Sequence, residues 1–235
     1  GPRIECCTLG TVTDLGIKDA NNMGAAMAGA AEDTLKEYTH IIPMKNTDRL
    51  CLFTAEGNMY QVKASAIPKG KPKDKGVLIH TLCKIGKEDA VLYTAFEDLF
   101  ESQLLFTTKN GFIKRVSGIE FETGRSMIAA TKLHDNDTVI GISMMSATDV
   151  LSGNMKVILL TEGMASLAFP VEDVPELKKA SRGVKAITFD KNDNALAFAG
   201  AFHARVETFT FNGKELSTRR VRMRQRAAKA QKAAL

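Results

Sequence analysis

LCLFTAEGNMYQVK, Leu50 to Lys63, is the stretch on which the fold turns. A run of apolar residues meets Thr54, the chain reverses at Glu56-Gly57, and an alternating segment follows. Leu50 and Leu52 alternate with Cys51 and Phe53, so both faces of the first segment are apolar, as in a strand covered on both sides. The same module recurs as LLFTTKNGFIKRV (Leu104 to Val116), VILLTEGMASLAF (Val157 to Phe169) and VETFTFNGKELST (Val206 to Thr218). The turn glycines Gly57, Gly111, Gly163 and Gly213 stand 54, 52 and 50 residues apart. Strand-turn-strand content at such a period is the mark of propeller-like arrays, in which a small sheet buries its faces only against its neighbours.

Working outward, Asn46-Thr47-Asp48 opens the first clear unit and Ile67-Pro68 ends its return strand, because proline cannot donate to a ladder. A basic loop follows, KGKPKDKG from Lys69 to Gly76. Val77–Leu82 and Ala90–Phe96 read as further strands. The second unit repeats the plan through Lys109-Asn110-Gly111, a strong hairpin signal, then a loop over Phe121–Arg125 and a strand at Thr138–Met144. The third has the loop Lys178–Gly183 and strands at Val184–Phe189 and Leu196–Ala199. The fourth hairpin has no evident outer strands; it completes a neighbouring unit or closes a ring. The expected architecture is all-β: three clear four-stranded blades plus partial terminal units, spanning residues 31–218.

Two flanks are expected outside that array. Residues 1–30 read as a lead-in or a partial first blade; Thr13–Lys18 echoes the Thr-x-x-Gly turn, and Gly24–Ala31 is a linker, a short helix or a divergent loop. Gly1-Pro2 reads as a tag remnant on an excised piece of a longer protein. Residues 219–235 form a basic tail, RRVRMRQRAAKAQKAAL. It holds seven of the 32 cations and none of the 27 acids, which leaves the first 218 residues at a net of −2 while the whole chain is +5. A nucleic-acid surface on the body must therefore come from placement of charge rather than its total. The tail reads either as a DNA-seeking arm or as a disordered, solubilising end.

Catalytic and metal chemistry find little support. Cys6, Cys7, Cys51 and Cys83 make no C-x-x-C pair, and Cys51 in an apolar strand acts as a small hydrophobe. His40, His80, His134 and His203 are scattered. No apolar run approaches the ~20 residues of a membrane span. These features point to a reduced, cytoplasmic setting, no cofactor and no membrane partner.

The recurring plan resembles the C-terminal β-pinwheel of the A subunit of bacterial type II topoisomerases, DNA gyrase and topoisomerase IV. Asp48–Pro68 is similar to that family's second-blade segment. Gly111-Phe-Ile-Lys114-Arg115 resembles its Gly-x-Ile/Val-Lys-Arg turn, and Thr161-Glu-Gly163 with Phe169-Pro-Val-x-Asp-Val-Pro175 resembles its Thr-x-x-Gly and Phe-Pro-Val-x-x-Val/Ile-Pro elements. The likeness covers roughly Ala31 to Ala201.

The resemblance implies a non-catalytic domain that binds and bends duplex DNA without reading its sequence. It would act with the ATPase B subunit, and with the rest of the A subunit, in the bacterial cytoplasm, at the nucleoid. In that family the nucleophilic Tyr lies in another domain, and Tyr38, Tyr60 and Tyr93 have no Arg/carboxylate constellation in their sequence surroundings. Basic residues at matching places in the units are the candidate DNA contacts: Lys63, Lys69, Lys71, Lys73, Lys75, Lys109, Lys114, Arg115, Arg125, Lys178, Lys179, Arg182 and Lys185, with Arg219 and Arg220 in the tail. Gyrase carries a Q-R-R-G-G-K-G box that no string here reproduces, which tilts the reading toward topoisomerase IV. A propeller-like protein-interaction module is the alternative, favoured by the body's net −2.

Overall fold

The computed structural model describes residues 3, 4, 6, 7, 42, 44–70 and 77–232. The Thr13–Lys18 echo, the Gly24–Ala31 stretch and the loop lysines Lys71, Lys73 and Lys75 lie outside them.

Each repeat begins with an antiparallel hairpin, and in the first three its strands are largely buried on both faces. These are β3 (Arg49–Thr54) with β4 (Asn58–Lys63), β8 (Ser102–Thr108) with β9 (Phe112–Ser117), β12 (Met155–Thr161) with β13 (Ala165–Pro170), and β16 (Thr208–Phe211) with β17 (Lys214–Ser217). Against the first strand of the first three hairpins lies a later strand: β7 (Ala90–Ala95), β11 (Val139–Ser146) and β15 (Leu196–His203). One short helix, α1 (Ala147–Leu151), follows β11, and its amino end is capped by the Ser146 hydroxyl accepting the Asp149 amide at 3.0 Å.

The fourth strand of each sheet comes from the next repeat. The sheets run β7-β3-β4-β10, β11-β8-β9-β14 and β15-β12-β13-β18, where β10 is Met127–Ala129, β14 is Val184–Lys185 and β18 is Gln231–Lys232. A repeat read along the sequence is therefore not a blade. The register is the same in the last two exchanges: Lys185 faces Phe112 and Lys232 faces Ala165, each four residues past the threonine of its turn, Thr108 or Thr161. The tail is thus neither a free arm nor a disordered end. Its residues 219–230 are the loop of the fourth repeat, and β18 completes the third sheet. The sequence hid this because a two-residue strand has no periodicity to read.

Two compact units make up the chain. The first comprises the described residues of Gly1–Cys51 with Tyr60–Lys87 and Tyr93–Glu97, and the second comprises Leu52–Met59, Glu88–Leu92 and the described residues of Asp98–Leu235. In the first, β1 (Arg3–Ile4) pairs antiparallel with β6 (Val77–Leu78), and β2 (Cys6–Cys7) pairs parallel with β5 (Lys69–Gly70). There the Arg49 guanidinium lies 3.7 Å over the Phe96 ring and donates to Gln61 Oε1 at 2.7 Å. Burial pushes the pKa of the Cys51 thiol up to about 12, so it packs as an apolar group.

In the second unit the cores lie between successive sheets. Leu105 and Ile113 from one sheet meet Val157, Leu159, Leu167 and Phe169 from the next. The opposite face of that next sheet, Ile158, Leu160 and Ala168, meets Phe209, Leu216 and the tail's Val221. Phe53 packs edge-on to Phe106 and Phe121, at centroid separations of 6.1 and 5.1 Å. Alternate residues of one strand thus serve two interfaces, which is why the inner hairpins lack a polar face, whereas the last, β16 with β17, exposes Thr208, Thr210, Lys214 and Glu215.

The turns share one hydrogen-bond plan. The hydroxyls of Thr54, Thr108 and Thr161 accept the amides of Asn58, Phe112 and Ala165, at 3.2, 3.1 and 2.9 Å. The carbonyls of the same threonines accept Gly57, Gly111 and Met164 at 2.9–3.0 Å. Gly57 and Gly111 take φ of +82°, and the matching residue in the third turn is Met164 at +63°, not Gly163. A side chain in this left-handed region costs roughly 1–2 kcal/mol, which glycine avoids at an entropic cost of its own. Met164→Gly should therefore stabilise the protein by about 0.5 kcal/mol in denaturant titration. A loss of stability would mean that the Met164 side chain contributes more by packing than its backbone loses.

Candidate functional site

The loops that lead from each hairpin to its exchanged strand gather the basic residues. Among the described residues the third and fourth loops can be superimposed position by position. In the third, the chain passes parallel beside β9: the Arg115 amide donates to Pro175 O at 3.0 Å and the Leu177 amide to Arg115 O at 2.8 Å. In the fourth, it passes parallel beside β13, and the Arg224 amide donates to Ala168 O at 2.8 Å. Next comes a cationic clamp onto the preceding 3-10 turn. The Lys179 ammonium donates to Glu120 O at 2.7 Å, and the Arg226 Nε donates to Asp173 O at 2.8 Å. Five residues on, β14 and β18 begin.

This match aligns Lys178–Lys185 (KKASRGVK) with Gln225–Lys232 (QRAAKAQK). Arg182 then corresponds to Lys229, and Lys185 to Lys232; all four are exposed. Arg125, also exposed, stands two residues before β10, as Arg182 stands before β14 and Lys229 before β18. Lys75 holds that place before β6 in the sequence, outside the described residues. The constant 47-residue offset between the last two loops is the signal that reading the loops singly misses. Also missed were Glu88, Asp137 and Asp193, whose carboxylates bind the first three turns.

The sequence candidates separate by environment. Lys63, Lys109, Arg125, Lys178, Arg182, Lys185, Arg219 and Arg220 are exposed. Of these, Lys109 pairs with Glu162 at 3.1 Å, Lys178 with Glu120 at 3.0 Å, and Arg219 with Glu207. Such exposed pairs contribute little to stability and can be exchanged for another anion. Lys69 lies in β5. Lys179 is half-buried, its amide and its ammonium both engaged by Glu120. Burial alone would raise the Glu120 pKa, but the Lys179 amide and the Lys178 ammonium bring it below the usual carboxylate value.

Lys114 and Arg115 must be corrected as surface contacts. Lys114 is 2% exposed, and its ammonium donates to Lys178 O at 3.3 Å, Lys179 O at 2.7 Å and Ser181 O at 2.6 Å. Burial lowers its pKa to about 8, with the Glu120 carboxylate opposing the shift. Arg115 is half-buried, with Nε bound to Val174 O at 2.7 Å and Nη1 to Gln103 Oε1 at 2.6 Å. Both hold the third loop from beneath. Their place in the return strand put them inside, against a loop that arrives about 60 residues later.

The fourth loop is the most cationic part of the described surface. Arg219, Arg220, Arg222, Arg224, Lys229 and Lys232 are exposed, while Val221 is buried as an anchor. Arg222, Met223, Arg224, Gln225, Ala228 and Gln231 line an open cleft of about 400 Å³. Arg226 is tied inward by Asp173 O and by Lys185 O at 2.6 Å.

Comparison with known proteins agrees with this architecture. Residues 48–94, 102–144 and 169–199, just over half of the chain, match the family model described as DNA gyrase C-terminal domain, beta-propeller. Residues 1–54 match a different model, stage V sporulation protein AD. The chain is 29% identical to the A subunit of DNA gyrase from Lawsonia intracellularis over 180 residues, which is 74% of this chain and 21% of that protein. To the A subunit of DNA gyrase from Helicobacter pylori strain 26695 it is 31% identical over 153 residues, 63% of this chain and 18% of that protein. It thus spans about a fifth of the length of these relatives. Among solved structures, the C-terminal domain of DNA topoisomerase IV is similar in fold, with a TM-score of 0.70 at 20% identity, covering 86% of this chain and 65% of that one. The DNA gyrase A C-terminal domain is similar with a TM-score of 0.58 at 22% identity, covering 80% and 60%. The exchanged-strand sheets and the matched stretches together show that the chain belongs to the DNA gyrase C-terminal domain, beta-propeller family.

Proposed function

We propose that this chain is a non-catalytic domain of a type II topoisomerase A subunit that binds duplex DNA through its phosphates and bends it for strand passage. It would work with the ATPase B subunit, and with the remainder of its own polypeptide, in the bacterial cytoplasm. The observation that carries this reading is the recurrence of exposed cations at one register of successive sheets, Arg182 and Lys185 on one and Lys229 and Lys232 on the next. A periodic phosphate backbone is met by a periodic set of ammonium and guanidinium groups. Such contacts fix position without reading bases. Bending a 20–30 base-pair site by 40–90° costs on the order of 1–6 kcal/mol, so several contacts must act together.

The proposed domain runs from residue 31 to 218, with residues 219–232 of the basic segment 219–235 as its fourth loop and closing strand. The topoisomerase IV form of the activity is preferred to gyrase. The segment nearest to the gyrase box, Gln225-Arg226-Ala-Ala-Lys229, has alanines for glycines, and its Arg226 is turned to carbonyls rather than to solvent.

Measurement of duplex affinity against salt tests the reading. With about five phosphates neutralised, log K against log salt should have a slope near −4.5, and duplexes of unrelated sequence should bind alike. Affinity that ignores salt, or that is absent at low salt, would favour a protein-interaction module instead.

A further inference from the structure

We propose that Lys114 is a positioning residue: its buried ammonium draws the carbonyls of Lys178, Lys179 and Ser181 into one loop shape, and that shape presents Arg182 and Lys185 to duplex DNA. The first half rests on geometry alone; the second rests on the DNA-binding reading above. An ammonium has three donors and no acceptor, and here each donor has one carbonyl. Three carbonyl oxygens converging on one point repel one another unless a cation stands between them. The loop thus owes its curvature to a side chain that reaches it from β9, a strand 64 to 67 residues earlier.

Glu120 completes the hold from the other side. Its carboxylate accepts the Lys179 amide at 2.7 Å and pairs with the Lys178 ammonium at 3.0 Å. Arg182 follows these anchored residues directly and Lys185 stands in β14 opposite Phe112, and both are exposed. The matching position in the following sheet is different. Lys114 stands opposite Phe106, and its counterpart Leu167 stands opposite Leu159. No lysine stands at that place beneath the fourth loop; Lys156 of β12 reaches only Thr218 O at its start, at 2.7 Å, and the loop is tied by Arg226 to Asp173 O and Lys185 O. A lysine buried where the following sheet carries leucine is therefore explained by the loop it serves. It also lies 5.7 Å from the centroid of the Phe106 ring, a contact that favours the charged form.

Lys114→Met keeps the length and apolar stem of the side chain and removes only the charge. Met leaves the three carbonyls without their donor, which lowers stability, but the loop lies outside the hairpin cores, so the fold should survive. Amide hydrogen exchange of the full chain provides the loop-specific measurement. The amides of Lys179, Ser181 and Gly183, each hydrogen-bonded within the loop or to Glu120, should exchange at least about tenfold faster, while those of β8 and β12 stay unchanged. Duplex affinity of the same variant should fall about tenfold, with a salt slope less negative by about two contacts. Lys114→Arg, which keeps a cation and its donors, should restore most of the protection, and it serves as the comparison should the Met variant fail to fold.

Unchanged loop exchange in Lys114→Met, or equal acceleration in both variants, overturns the positioning role whatever happens to DNA. Faster exchange with undiminished affinity and slope overturns the link from loop shape to DNA. A wild-type chain that binds no duplex at low salt sinks the DNA reading itself, and loop exchange then still decides whether Lys114 shapes the loop.

Discussion

Gly118→Ala should cost about 3 kcal/mol and lower the melting midpoint by roughly 6–12 °C. Gly118 begins the 3-10 turn after β9, and a Cβ at this position would stand 1.6 Å from the carbonyl oxygen of Leu99 and 2.9 Å from that of Ser102. Both obstacles are backbone, so no rotamer change relieves the clash and the turn must move away from the segment before β8. That movement disturbs Phe121 in the same turn, which is fully buried between Phe53 and Phe106. The neighbouring Ile119, 60% exposed, provides the control, since Ile119→Ala should change stability by less than about 0.5 kcal/mol. Thermal unfolding of the two variants beside the parent decides the matter. A Gly118→Ala midpoint within a degree of the parent would show that the turn has room it is not seen to have. The repeats disagree at this position, because the matching 3-10 turns begin with Ala64 and Val171.

The second large effect concerns the fourth loop. Changing Arg219, Arg220, Arg222 and Arg224 together to Gln should weaken duplex binding at low salt by roughly tenfold and make the salt slope less negative by about 1.8, if two of the four meet a phosphate. All four are exposed; Arg224 Nη1 also donates to Lys229 O at 3.0 Å within the loop, but the ties that hold the loop to the body are elsewhere, in Val221, in Arg226 and in the Arg224 and Ala227 backbone amides. The fold should therefore be unaffected, which circular dichroism and the melting midpoint would verify. An affinity loss without a change of slope would place these arginines in some role other than phosphate contact. An unchanged affinity would move the DNA track away from the fourth loop. The same experiment with Lys114 and Arg115 is not equivalent, because their side chains hold a loop rather than face solvent.

The hairpins, their two-sided burial and the array they imply were legible in the sequence. Each depends on residues close together along the chain: a threonine, a turn and two apolar runs that pair directly across it. Local geometry sets the register of a hairpin, so the pattern within some 14 residues was enough to recognise each unit. Exposed loop cations such as Arg125 and Arg182 were legible for the same reason, since the glycines and polar residues around them leave no core to enter.

What the tertiary structure decided depends on partners distant in sequence. The fourth strand of each sheet is two or three residues long and is defined only by the hairpin it joins, so β10, β14 and β18 could not be assigned to their sheets from periodicity. The tail read as a free arm or a disordered end because Val221, its buried residue among those described, has meaning only against Ile158 and Ala168. Lys114 looked like a surface cation because the three carbonyls that surround it arrive after another 64 residues. Met164 took the left-handed place because the hydrogen bond to Thr161 O, not the position of the nearest glycine, fixes where the third turn closes. In each case local propensity leaves the residue undecided, and a single long-range contact settles it at a free energy larger than the local preference.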